Sequence, residues 1–418
     1  MATSFLIDVG STIVKGARLE AGVVRANAFH TRRADETIPD QAEAVLAALG
    51  CPRPVAEADI RICSSANGGL SVGLLMLSRR VSGAVALRTL EAVGANVRFQ
   101  YEWRETAGLP PTRPVDLLVL AGGVDAFSDR RVRHGVDALD LTAFCYDRLV
   151  YAGHGGAVER AQARWPGVDI VPNPLQRDLV PADRALGAFV RRTYLDDIES
   201  KRELLPLRTV SNVDIEPTPG VVSRAFERLQ GRFPSPALLF DIGGATTDLH
   251  FPKELLDESA LGASLLAAFP AISRHVFTAY GLHDSRRSTI AALLADPGCH
   301  DLLTALYAAE ARARYLALVD GEAESRLLFA ACLFLALRAA LDGGEEAPRL
   351  VLGALSTLMI SGGAAKGFAE ADVARAAEAA LGRPIRARVV CDPHYRWWTL
   401  GLMAPDEISA RSWEALDD

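Results

Sequence analysis

Two aspartates sit at matched places in this chain. Near the N-terminus, Phe5-Leu6-Ile7-Asp8-Val9-Gly10-Ser11-Thr12-Ile13-Val14-Lys15 carries an apolar stretch into Asp-x-Gly and small hydroxyl residues. In the second half, Leu238-Leu239-Phe240-Asp241-Ile242-Gly243-Gly244-Ala245-Thr246-Thr247-Asp248-Leu249 repeats the pattern. The chemistry open to such a pattern is the handling of phosphate. A buried strand delivers the aspartate to a tight turn, and the glycine lets the backbone come close to a ligand. Amide N–H groups and hydroxyls can then hold phosphate oxygens. One copy also fits an ordinary structural turn. Two copies in opposite halves imply a duplicated nucleotide-cleft domain, with the phosphates clamped between the copies.

The elements that must position these loops follow from the patterning. Ser4–Ile7, Val14–Leu19 and Val23–Ala28 read as a meander with a turn at Ala21-Gly22, followed by a helix at Gln41–Leu49. Strands at Ile60–Ser64, Val97–Tyr101, Asp116–Ala121, Leu149–Ala152 and Asp169–Pro172 then alternate with helical segments such as Ala84–Val93, the parallel α/β rhythm. Glycines cluster past several strand ends (Gly68-Gly69, Gly122-Gly123, Gly153, Gly155-Gly156), where ligand-facing loops lie in such sheets, although plain turn chemistry is the commoner use. Tyr307–Leu341 reads as one or two helices broken near Asp320-Gly321. Leu358–Ile360 is an apolar run ending in Ser361-Gly362-Gly363, and the last strand and helix fall at Ala387–Val390 and Trp397–Met403.

Composition removes several classes of function. At 418 residues, 50% hydrophobic, the chain can form two core-bearing domains. A net charge of −7 without a basic cluster argues against nucleic-acid or anionic-membrane surfaces. The six cysteines are scattered singly, with no Cys-x-x-Cys pair, as suits reduced thiols in the cytoplasm. No secretory signal is legible. The longest apolar run, Leu327 to Leu337, is about half the ~20 residues of a membrane span.

The order of these motifs resembles the ATPase superfamily of actin, sugar kinases and heat-shock chaperones. Asp8–Lys15 is similar to its first phosphate loop, Asp241–Asp248 to its second, and Ile360-Ser361-Gly362-Gly363 to its adenosine loop. Ile215-Glu216-Pro217-Thr218 resembles the start of its first connecting helix and Thr399-Leu400-Gly401-Leu402 its second. A narrower resemblance lies in Cys63-Ser64-Ser65-Ala66-Asn67-Gly68-Gly69-Leu70, Leu120-Ala121-Gly122-Gly123-Val124-Asp125, Val150-Tyr151-Ala152-Gly153 and Pro217-Thr218-Pro219. These look like signatures of the MutL-type glutamate mutase accessory proteins, which share only a name with the mismatch-repair factor. The chain departs from that pattern after the second loop, where Phe251-Pro252-Lys253-Glu254 replaces an arginine- and glycine-containing run, and at His154, where asparagine is usual.

The resemblance implies an α/β fold of two RNase H-like (actin-like ATPase) domains with a nucleotide cleft between them. The first would span 1–222 with an α/β insert at about 63–195 and be completed by 391–418; the second would span 223–390. It implies ATP/ADP and magnesium as ligands, no cobalamin on this chain itself, and chaperone-like ATP hydrolysis serving an adenosylcobalamin-dependent mutase. The alternative is a small-molecule kinase using the same clamp. An actin-like filament or a non-enzymatic ATP-binding module ranks below both. The expected partner is therefore a mutase client or a small-molecule substrate, with no nucleic acid and no membrane; a homodimer is one compatible assembly.

Residue roles follow. Asp8 and Asp241, facing each other, are the expected magnesium holders, directly or through water. Asp248 is a further metal partner or a capping residue. Gly10, Ser11 and Thr12 on one side, and Gly243, Gly244, Thr246 and Thr247 on the other, would hold the phosphates; Lys15 reaches them or stays solvated. Glu216, opening the connecting helix, is the first candidate to orient or deprotonate the attacking water, against a bland reading as a helix N-terminal acid. Ser361, Gly362 and Gly363 would carry the adenosine. Asp125 is a weaker candidate, and Trp397-Trp398 reads as core.

Overall fold

Strands β1 (Thr3–Val9), β2 (Ile13–Glu20) and β3 (Val23–Thr31) form an antiparallel meander whose first turn is the Asp8–Lys15 loop. At the second turn Ala21 and Gly22 both take positive φ (51° and 74°), the handedness a two-residue hairpin needs. Helix α1 (Ile38–Ala48) follows, with a capping box between Thr37 and Asp40. Strands β4 (Asp59–Ser64) and, much later in the chain, Glu216–Pro217 extend the sheet parallel to β1. The computed structural model describes residues 3–10, 12–33, 35–52, 58–65, 70–176, 183–200, 215–257, 259, 271–343, 349–362, 368–392 and 394–417.

The stretch between β4 and Glu216–Pro217 carries a second sheet. It contains β5 (Ser71–Met76), α2 (Ala84–Ala92), β6 (Asn96–Glu102), β7 (Val115–Ala121), α3 (Arg130–Ala138), β8 (Tyr146–Tyr151), α4 (Val158–Arg164), β9 (Asp169–Ile170) and α5 (Asp183–Ser200). The strands are all parallel, in the order β6-β5-β7-β8-β9. Alternation splits each strand between two cores. Val72, Leu74, Leu117 and Val119 pack with α2, α5 and the first sheet, while Leu75, Leu118 and Leu120 pack with α3 and α4. Sequence patterning misses β5, because a strand buried on both faces shows no alternation in its polarity. The glycine pair Gly122-Gly123 serves packing here. A Cβ at Gly122 would stand 2.6 Å from the Trp103 ring, and one at Gly123 would stand 2.6 Å from Val132.

The Glu216–Pro217 strand, β10, leads into helix α6 (Thr218–Gln230) and then the third sheet. It comprises β11 (Ala237–Ile242), β12 (Thr247–Pro252), β13 (Ile272–Phe277), β14 (Thr357–Ser361) and β15 (Arg388–Cys391), in the order β13-β12-β11-β14-β15. The first sheet runs β3-β2-β1-β4-β10. Strand for strand these are the same order and the same senses, an antiparallel hairpin pair followed by two parallel additions. The repeat in sequence is a repeat in fold, two RNase H-like units with an α/β insert in the first. Helix α7 (Ser325–Asp342) is buried on nearly every side beneath the third sheet. The helix Ala311–Val319 ends just before Gly321, at φ 81°, where a break is expected. Among the described residues no helix is long and apolar enough to cross a membrane.

Between the first and third sheets, α6 crosses a short helix α8 (Trp397–Leu402). Leu6 and Leu19 from one sheet, Leu239 and Met359 from the other, and Phe226, Trp397 and Leu400 from the helices share one core. Gly401 makes the crossing close: a Cβ there would stand 2.0 Å from the Val221 carbonyl oxygen. Arg224 Nε donates to Gly401 O at 3.1 Å, and Arg228 Nη1 donates to Leu400 O and, at 2.9 Å, to Met403 O. These donors satisfy carbonyls that a helix end leaves open. Gly401→Ala is expected to cost about 1–3 kcal/mol by forcing the helices apart. Thermal melting checks this, and an unchanged Tm would show that the crossing yields freely.

Candidate active site

A cavity of about 1290 Å³ is lined by both hairpins: Asp8, Gly10, Thr12 and Lys15 from the first, Asp241, Gly243, Gly244, Thr246 and Asp248 from the second. The two turns are built alike. Gly10 N donates to Ile13 O at 3.0 Å and Gly243 N to Thr246 O at 2.9 Å. They meet across the cavity, where a Cβ on Gly244 would stand 2.8 Å from Thr12 Cγ2.

The second turn has its carbonyls occupied by the 282–285 segment. Gly243 O accepts from Leu282 N (3.1 Å), Gly244 O from His283 N (2.8 Å) and Asp284 N (3.0 Å), and Ala245 O from Ser285 Oγ (2.6 Å). In a trans peptide the N–H points opposite to the C=O. The amides of Gly244, Ala245 and Thr246 therefore point away from these donors and could hold an anion. In the first turn Arg32 plays the supporting part, its backbone N donating to Thr12 O at 2.9 Å.

The acids differ in how they are neutralised. Asp8 faces Lys15 across the β1–β2 ladder, and Asp241 faces Asp248 across β11–β12. Lys15 is thus the positional counterpart of Asp248, a base in one repeat and an acid in the other. Asp8 is buried, with Lys15 Nζ at 2.5 Å and Thr218 Oγ1 donating at 2.6 Å. Lys15 also lies 3.6 Å from the centre of the Tyr395 ring. Burial opposes its charge, yet Asp8, Tyr395 and Asp241 outweigh that and hold the ammonium above the usual lysine range. Asp248 is paired with Arg274, whose Nε and Nη2 both donate to Oδ1, and its Oδ2 accepts from Thr246 Oγ1 at 3.2 Å.

Asp241 has no ion pair among the described residues. Its carboxyl is pushed up to about 7, by burial first and then by Asp248 and Asp8, against the pull of Lys15 and Arg274. A magnesium ion would offset that repulsion and restore the charge. Asp8 and Asp248 already pair with Lys15 and Arg274, so of the three acids Asp241 is the one left that could hold a metal.

Several of the expected site residues lie away from the cavity or have other partners. Glu216 does not line the cavity; its carboxylate takes Arg224 Nη2 at 2.6 Å, and Thr218, two residues on, reaches Asp8 instead. Thr247 is fully buried and gives its hydroxyl to Tyr280 O at 3.0 Å, because as the first residue of β12 it faces into the sheet. Ser361 is also off the cavity, its hydroxyl 3.3 Å from Asp392, and Gly362 (φ 110°) packs so that a Cβ would stand 2.2 Å from Ile242 O. Gly362 therefore packs against the end of β11, where the second turn begins. Ser11 and Gly363 lie outside the described residues. Asp125 is tied up by Gly155 N (3.0 Å) and Asn173 Nδ2 (2.9 Å) inside the insert.

Sequence reasoning missed Thr218, Arg274 and the 282–285 segment. For Thr218 a signal existed, since it closes the Glu-Pro-Thr run; Arg274 lies on a strand without any motif.

A family model described as "MutL protein" matches residues 4–317. No curated protein matches the chain in sequence. Among solved structures, the activator of 2-hydroxyisocaproyl-CoA dehydratase from Clostridium difficile, with bound ADPNP, is similar at 9% identity and TM-score 0.35, over 99% of this chain and 94% of that one. Component A of (R)-2-hydroxyglutaryl-CoA dehydratase from Acidaminococcus fermentans is similar at 11% identity and TM-score 0.32, over 96% of each chain. An ethanolamine utilization protein from Carboxydothermus hydrogenoformans is similar at 10% identity and TM-score 0.29, over 96% of this chain and 89% of that one.

Proposed function

The chain belongs to the MutL protein family, and from that premise we propose that it binds ATP in the cleft and hydrolyses the terminal phosphoanhydride bond, as a cytosolic accessory protein to an adenosylcobalamin-dependent mutase. The observation that carries the reading is the meeting of two like-built turns across one cavity, Thr12 against Gly244. The amides of Gly244, Ala245 and Thr246 and the hydroxyl of Thr12 hold the phosphate oxygens. Asp241 would hold the cation. Magnesium, when bound, offsets charge on the transferring phosphoryl oxygens. Thr218 and Lys15 fix Asp8 so that the first turn keeps its shape, and Arg274 does the same for Asp248.

Hydrolysis serving a client implies that opening and closing of the cleft is the output. A second reading, phosphoryl transfer to a small molecule, draws on the size of the cavity. About 1290 Å³ exceeds the ~300–1,000 Å³ of ordinary ligand pockets, and Asn27, Phe29 and Thr31 present one face of β3 to it. Titration calorimetry with ATP, with and without magnesium, tests the shared premise: magnesium-dependent binding is expected, and its absence would end both readings. Turnover measured with a mutase holoenzyme and, separately, with a metabolite panel tells the two apart.

A further inference from the structure

Arg88 and Glu91 lie one turn apart on α2, the first helix of the insert, and both are buried. They face β13 of the third sheet. Arg88 Nη1 donates to Glu91 Oε2 at 2.5 Å, and Glu91 Oε1 lies 2.9 Å from His275 Nδ1. The main-chain carbonyl of Glu91 accepts from Arg274 Nη1 at 3.0 Å. Arg274 gives its remaining edge, Nε at 2.9 Å together with Nη2, to Asp248. One guanidinium thus spans from the insert helix to the acid opposite Asp241.

Burying these charges is costly, and an apolar contact would pack the two elements at least as well. What the ionic chain adds is position. A guanidinium is a flat, rigid fork, so a shift of α2 by about an ångström breaks its hold on either the Glu91 carbonyl or Asp248. Burial alone would raise the Glu91 carboxyl, but Arg88, His275 and Arg274 hold it below the usual range.

Resting on the nucleotide-cleft reading, we propose that Arg274, held by Glu91, is a positioning residue for Asp248, and that through it the insert and the cleft move as one. Occupancy of the cleft is then felt in α2, and a partner seated on the insert is felt in the cleft, since coupling of binding free energies is reciprocal.

Hydrogen exchange in residues 84–92, with and without magnesium and ATP, read beside kcat and KM, tests this. In the wild type, nucleotide should slow exchange there. Arg274→Lys keeps a cation beside Asp248, but one ammonium cannot reach both Asp248 and the Glu91 carbonyl. It should bind ATP near wild-type affinity, lose the nucleotide-dependent protection of α2, and fall roughly 10- to 100-fold in kcat with KM little changed. An Arg274→Lys protein with wild-type kcat and wild-type protection overturns the proposal. If that variant does not fold, Arg274→Gln decides by the same readouts, because its shorter side chain cannot span from the Glu91 carbonyl to Asp248. Wild-type protein that binds no nucleotide overturns the cleft reading itself, and the coupling with it.

Discussion

Asp241→Asn is expected to bind ATP nearly as well as the wild type and to turn it over roughly 10²- to 10³-fold more slowly. The substitution keeps volume and shape at the end of β11 but removes the negative charge that holds a cation. Asp241 has no ion pair among the described residues, whereas Asp8 has Lys15 and Asp248 has Arg274. Losing its charge should therefore be felt in the chemistry rather than in folding. The amide should even relieve repulsion, because Asp248 and Asp8 both raise the Asp241 carboxyl. A melting temperature at or above wild type, with turnover lost, is the combined signature. Unchanged turnover would remove Asp241 from the mechanism.

Lys15→Met should act the opposite way, through stability. Asp8 is 1% exposed, and Lys15 at 2.5 Å is its ion-pair partner. Methionine fills the same space beneath Tyr395 but leaves a carboxylate buried without its cation, which typically costs about 3–5 kcal/mol. Urea melts of the single variants and of Lys15→Met with Asp8→Asn form a thermodynamic cycle. The double variant should recover much of the loss, since the amide no longer needs a cation. Simple additivity of the two losses would mean the pair contributes nothing jointly.

The two like-built turns were legible because everything that makes them is local: an apolar strand, an aspartate, a glycine two residues on, and hydroxyls. The duplicated sheet order followed from them. Which side chains face the cavity was less legible. Thr246 and Thr247 are equivalent in composition, but Thr247 begins β12 and alternation sends it into the sheet while Asp248 faces the cleft. The partner of Glu216, Arg224, was not legible because the two meet only when α6 is wound. Arg274 could not be found at all, since its meaning depends on α2 lying against β13, a contact between residues far apart in the chain. Strand β5 was hidden by burial on both faces.

The crossing of α6 and α8 also bears on the order of events during synthesis. The central strand of the first sheet is made before any strand of the third, but that sheet is closed by residues 402–407, which are made after them. Arg61 on β4 donates to Leu402 O at 3.2 Å and pairs with Glu407 at 2.5 Å. The third sheet, by contrast, has all its strands once Cys391 has appeared. Domains tend to fold as they leave the ribosome, so here the later-born sheet can finish first while the elder one waits. A chain ending at residue 396 would lack little mass, yet Arg61, Arg224 and Arg228 would each lose carbonyls they serve. Premature termination there should leave a folded second half joined to an open first one, a product for proteolysis rather than a shortened working protein.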